Sequence, residues 1–401
     1  MPPSPGSQPP STTIPALDGL RGVAILMVVV YHGVDSFVPA DGGLLPVAGW
    51  DLATPIYSGW MGVNLFFVLS GYLITWHLLR RWTSAPGRKE LRTYLVKRWL
   101  RIVPTYYVVL AIATLGLVPH NPVDPHLLGL QAAWHALFLQ DYLPSSILGP
   151  LWSLGVEEKF YLAMPVALLL AWRVPGPRRR VGRHAAIASV PVAVRLAMLA
   201  AADPASGDAF FRDWRNPFHL NLDALFLGSV CAWLHLERDR FPLLQRARLP
   251  LAAMGAGGAL ILTLALVPGR IGERGAFDAV AIYPLTAVGM ALVLFGAALR
   301  RPGGGGLLES RPLALAGRIA YPWYLTHVLA MHWLWEELLI AAPGIRALAP
   351  AAQAAIFLPA FLVLSAVAAT LLHLAVERPC LILKDRVGAP GGTTHPATGH
   401  A

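Results

Sequence analysis

The chain has 401 residues, of which 56% are hydrophobic and 13% charged; its mean hydropathy is +0.55 and its formal charge +10. An ordinary soluble domain carries roughly 25% charged residues and a globular surface must be largely polar, so a soluble enzyme and a disordered chain are excluded, as is a disulfide scaffold with only Cys231 and Cys380 present. The basic excess sits in short blocks between apolar runs, the pattern of a polytopic membrane protein and not of a nucleic-acid binder.

Residues 1–16, rich in Pro and Ser and free of Lys and Arg, read as a disordered cytoplasmic lead and not as a signal peptide. A span needs about 20 mostly apolar residues. Ten stretches qualify: 18–38, 57–79, 102–119, 158–174, 184–202, 218–236, 250–268, 278–299, 314–338 and 352–376. The fifth is interrupted by Pro191 and Arg195. The stretch 127–140 reads as an interfacial amphipathic segment, 303–306 as a flexible glycine linker and 385–401 as a disordered tail. Alternate loops hold 24 and five Lys and Arg residues, which predicts a helical bundle with both termini in the cytoplasm. Helices are forced because lipid leaves no partner for open backbone groups. The predicted fold is thus an all-α transmembrane bundle over 17–384 in the cell membrane.

Polar groups inside these stretches carry the functional reading. The first stretch holds Asp18, Arg21 and, eleven residues later, His32. Eleven residues rise roughly 16 Å in about three turns, so Arg21 and His32 project from nearly one side at opposite depths. A snorkelling arginine and a histidine satisfied in the core would give the same pattern. Ser70-Gly71 falls mid-membrane in the second stretch, where small residues allow close helix approach; a nucleophilic serine is the less economical reading. Arg98 and Arg101 share a helix face, and two guanidiniums there suit phosphate groups. Arg80, Arg81 and Arg88 read as ordinary topogenic charge.

Residues 152–162 place Glu157, Glu158 and Lys159 at the outer edge of the fourth stretch. Lys159 is placed to neutralise one carboxylate, leaving the other to orient a histidine; equally, the pair caps a helix N-terminus. Arg195 at mid-span requires a carboxylate partner, and Asp223 is a candidate. Glu377 and Arg378 read as a local pair anchoring the last span.

Taken in order, six segments resemble the acyltransferase 3 family of integral membrane O-acyltransferases: the Asp18–Arg21–His32 opening, residues 66–74 around Ser70-Gly71, the Arg98/Arg101 pair, residues 152–162, residues 317–327 ending in His327, and the closing Glu377-Arg378-Pro379. The resemblance runs from about residue 14 to 384. It implies transfer of an acyl group, often acetyl, from cytoplasmic acyl-CoA to a hydroxyl on a sugar, an envelope glycan or a glycosylated natural product. It carries functional roles over to Arg21, His32, Arg98 and Arg101. An arginine common in the family two residues before Asp223 is replaced by Asn221. The esterase-like domain of some relatives is expected to be absent.

The expected mechanism has acyl-CoA as co-substrate, with no permanently bound cofactor and no metal. The diphosphate docks on Arg98, Arg101 and Arg21, with Asp18 and Ser70 beside it. His32 is the general base, and Glu158, or else Glu157, orients its ring. Trp152, Tyr161 and His327 are further pocket candidates. An acyl-histidine intermediate is the variant that ping-pong kinetics would reveal. The competing class is a proton-coupled transporter of an acyl donor or glycan, which intramembrane Arg, His and Glu also serve.

Overall fold

In bilayer hydrocarbon only helices satisfy their own backbone, and a helix of fifteen residues or more occupies each of the ten apolar stretches. In the computed structural model, residues 14–387 are described, apart from 40–42, 49, 83–85, 119–124, 144, 205, 270 and 301–305. Residues 1–13 of the expected lead, 303–305 of the expected linker and 388–401 of the expected tail therefore lie outside the described residues. The long helices are α1 Pro15–Asp35, α2 Met61–Arg81, α3 Arg88–Thr114, α4 Trp152–Trp172, α5 Pro177–Ala201, α6 Leu222–Leu236, α7 Leu249–Ala265, α8 Ile282–Leu299, α9 Ala320–Ala341 and α10 Pro350–Leu372.

Five helical segments are long and apolar enough to cross a membrane: Pro15–Asp35, Met61–Arg81, Pro177–Ala201, Phe277–Leu299 and Pro350–Arg386. The helices α6 and α7 are apolar but shorter. The three that remain, α3, α4 and α9, bring Arg98, Glu157 and His327 into the bundle. The segment Leu128–Ala136 is a short helix where the interfacial stretch was predicted.

Packing pairs α2 with α6, α5 with α6, α7 with α8 and α9 with α10, and α1 lies against α2 and α9. The α2–α6 crossing is set by two glycines. A Cβ on Gly71 would overlap the carbonyl oxygen of Leu225, and one on Gly228 that of Val68. Backbones therefore touch there, as small residues permit in membrane bundles. Ser70, one residue earlier and about 100° around the helix, faces away from this crossing and lines a cavity. Gly71 thus makes the packing contact, while Ser70 beside it faces the cavity.

Several boundaries move, with consequences for the chemistry. The third helix begins at Arg88, so Arg98 and Arg101 lie well inside it and not at its border. The fourth begins at Trp152, which places Glu157 and Glu158 in its second turn, beyond the reach of an N-terminal cap. The ninth stretch is broken at Ile319 into Arg311–Arg318 and α9, and Gly317 beside the break packs on the carbonyl of Asp18 at the start of α1. The last helix continues through a π-helical turn, His373–Glu377, to Arg386.

Candidate active site

Two cavities lie at opposite ends of α1 and α2. The first, of about 440 Å³, is lined by Arg21 near the start of α1, Arg81 at the end of α2, and Lys97, Arg98 and Arg101 on α3. Arg318 and Lys384 complete a set of seven cations, against the carboxylates of Glu157, Glu377 and Asp385. That excess makes it a site for a polyanion, with guanidiniums able to fork onto phosphate. Arg21 is held by Asp18, Nη1 to Oδ1 2.6 Å. Arg98 lies over the rings of Tyr94 and Tyr161, at 5.8 and 5.5 Å. At the deep end Glu157 accepts from Ser70 Oγ at 2.8 Å and from Tyr161 OH at 2.7 Å. One chain of contacts thus runs from a cation through a tyrosine and a carboxylate to a serine.

The second cavity, of about 630 Å³, contains His32, with Tyr31 and Asp35 near the end of α1, Trp60 and Val63 at the start of α2, Trp152, and Arg215. His32 Nδ1 lies 2.9 Å from the carbonyl oxygen of Val28 and 3.3 Å from Nε2 of His327. His327 is fully buried, and its Nδ1 lies 2.8 Å from the carbonyl oxygen of Tyr324. Carbonyls only accept, so these partners assign the tautomers: each ring carries its proton on Nδ1. His327 Nε2 is then an acceptor for the shared Nδ1–H of His32. The Nε2 lone pair of His32 is left for another donor, as a general base requires.

Val63 and Tyr324 line both cavities, so their side chains stand between the two. The Tyr324 hydroxyl donates to the Pro150 carbonyl at 2.6 Å and is hydrogen-bonded to Ser153 Oγ at 2.7 Å. Both partners sit at the start of α4, so the wall is latched to the helix that carries Glu157.

The structure brings together Arg21, Arg98, Arg101, Ser70, Glu157 and Tyr161 in the basic cavity, with Asp18 behind Arg21. It brings His32, His327 and Trp152 together around the other. It does not bring either glutamate to His32, whose ring is held by Val28 and His327. Glu157 is engaged by Ser70 and Tyr161, and Glu158 points elsewhere, its Oε1 buried without a hydrogen-bond partner. Lys159 neutralises neither; it binds Asp141 at 2.6 Å and the Phe138 carbonyl at 2.5 Å. Glu377 is not paired with Arg378; it bonds His373 at 2.6 Å and lines the basic cavity.

Arg195 meets Asp223 at 3.2 Å, as its burial demands, and also donates to the Leu220 carbonyl at 2.7 Å. Asn221 holds the turn before α6 by donating to the carbonyls of Arg215 and Pro217. Sequence reasoning missed Arg81, Arg318, Lys384 and Arg215. Arg318 stood inside a quoted segment, and Arg81 was read as topogenic. Lys384 and Arg215 carry no sequence signal beyond their charge.

Residues 14–372 match the acyltransferase domain of the acyltransferase 3 family. The chain belongs to that family. This acyltransferase 3 protein is 27% identical to acyltransferase MdmB of Streptomyces mycarofaciens over a 406-residue alignment that covers 97% of each chain. It is 33% identical over 170 residues to peptidoglycan O-acetyltransferase OatA of Listeria monocytogenes. That match takes in 39% of this chain and 24% of OatA, so the chain aligns with about a quarter of that relative's length. No solved structure matches it significantly.

Proposed function

We propose that the chain is a membrane O-acyltransferase. It takes an acyl group, acetyl in the first instance, from cytoplasmic acyl-CoA and delivers it to a hydroxyl of a sugar, an envelope glycan or a glycosylated small molecule. One observation carries the reading: a cation-rich cavity and a histidine cavity meet at a wall made by Val63 and Tyr324. The charge asymmetry of the loops supports a cytoplasmic mouth for the basic cavity. The peptidoglycan O-acetyltransferase activity of OatA supports a glycan acceptor.

In this reading the coenzyme's phosphates bind Arg98, Arg101 and Arg21 by charge-assisted hydrogen bonds. Glu157 does not act on His32; it fixes Ser70 and Tyr161, and through the Tyr161 ring the seat of Arg98. His32 Nε2 takes the proton of the acceptor hydroxyl as that oxygen attacks the thioester carbonyl carbon. The carbonyl π pair moves onto oxygen; its return expels the thiolate of CoA, which is protonated by the His32 imidazolium. His327, whose neutral Nε2 accepts from His32 Nδ1–H, steadies the imidazolium where a carboxylate does so in other acyl-transfer enzymes. Enclosure limits the competing hydrolysis of the thioester.

The test is thiol release from acetyl-CoA by the purified protein in lipid nanodiscs, with oligosaccharide acceptors followed by mass spectrometry. Release that rises with acceptor and disappears in His32→Ala supports transfer. Movement of acceptor across vesicles without thiol release would establish the transporter instead.

A further inference from the structure

Arg215 closes a π-helical turn, Phe211–Arg215, before α6, and it lines the histidine cavity. Only 5% of it is exposed. Its guanidinium carbon lies 4.7 Å from the Trp60 ring, 5.2 Å from that of Tyr283 and 5.3 Å from that of Trp152. Among the described residues it enters no ion pair; one edge of the guanidinium is engaged by Tyr283, while its Nη1 is buried without a hydrogen-bond partner. This differs from Arg195, the other buried arginine, which is tied to Asp223.

Stacking engages the faces of a guanidinium and leaves its in-plane N–H groups available. A buried cation with an unused donor is costly, and such groups persist where something arrives to use them. Arg215, His32 and Tyr324 line the same cavity, so the guanidinium shares a chamber with both the base and the wall. Negative charge develops in that chamber only during reaction, which suits a cation caged by rings and lacking a standing carboxylate.

We propose that Arg215 is a catalytic residue that donates from Nη1 to the acyl carbonyl oxygen as it becomes an oxyanion; this rests on the acyl-transfer reading above. When the acceptor oxygen bonds to the carbonyl carbon, with its proton leaving to His32 Nε2, the displaced π pair resides on the oxygen that Arg215 contacts. Collapse returns the pair to the C=O bond, and the C–S pair leaves with sulfur. A preorganised donor in a dry site is worth about 100-fold or more in kcat.

The experiment measures thiol release from acetyl-CoA by the full chain in nanodiscs, with chitotetraose as a neutral acceptor and with water alone. Arg215→Gln should lower kcat about 100-fold for both, with KM for acetyl-CoA and chitotetraose unchanged. Arg215→Lys should recover part of the loss, since it restores charge without the fork. Arg346→Gln, in the short helical turn Pro343–Ala347 that lines neither cavity, should match the parent. Wild-type kcat in Arg215→Gln would overturn the proposal. So would a defect that saturating acceptor repairs, which marks a contact to the acceptor, or a loss of acetyl-CoA binding by calorimetry, which marks a structural part. If wild type and His32→Ala release thiol equally, the transfer reading fails, not merely the role of Arg215.

Discussion

The basic cavity presents seven cations drawn from five helical segments, whereas the histidine cavity turns on one imidazole, its buried neighbour and one caged guanidinium. Redundancy separates them. Affinity spread over many long side chains declines in steps when one is removed. A tautomer set by two carbonyls and a single ring–ring hydrogen bond has no substitute. The contrast predicts graded damage at one end of α1 and abrupt damage at the other.

The largest expected effect breaks the histidine cavity. His32→Ala should cut kcat by about 10³-fold while acetyl-CoA affinity, read by calorimetry, stays within error. Next, His327→Phe fills the space but removes the acceptor for His32 Nδ1; kcat should fall about 10- to 100-fold, and His327→Gln, which keeps an acceptor, should recover much of it. Equal losses in Phe and Gln would mean that His327 only fills volume. Smaller still, Arg98→Ala or Arg101→Ala should raise KM for acetyl-CoA about tenfold with kcat nearly unchanged, and added salt should shrink the difference between variant and parent. A collapse of kcat there would erase the contrast between the two cavities.

The smallest effect concerns stability at the rim of the histidine cavity. Burial pushes the His135 imidazole, in the short helix Leu128–Ala136, down to about 4. In the unfolded chain the same ring titrates near 6.5. Between these values the unfolded state binds a proton that the folded state does not, so stability falls as pH drops from about 6.5 to about 4 and levels off below. His135→Asn should flatten that slope in thermal melts recorded across this window, whatever it does to the melting temperature at neutral pH.

Much of this was legible in the residues, for physical reasons. Ten apolar stretches became ten helices because lipid leaves the backbone no alternative. Arg21, Arg98 and Arg101 reached one cavity because helical period already placed them on shared faces. Arg195 found Asp223 because a carboxylate offsets the cost of burying its guanidinium. The reading went astray where one residue decides between two faces. Glu157 and Glu158 are adjacent, yet of the two the first lines the basic cavity, and it meets Ser70 and not His32. Where α4 begins settles this, and that start lies at Trp152, six residues before the apolar run suggests. Arg215 was invisible because its cage is assembled from Trp60, Trp152 and Tyr283, three segments far apart in sequence. Lys384 joined the basic set only because the last helix runs on past Glu377.

A partition made by Val63 and a latched Tyr324 has a meaning beyond chemistry. In the proposed reaction, whatever passes would be no longer than an acyl stub, with the bulky coenzyme and the hydrophilic recipient each kept to its own side of that partition. A protein working in this way would hand a building block from one compartment to another without ever opening a continuous aqueous pore, and so without discharging the ion gradients of the cell that makes it.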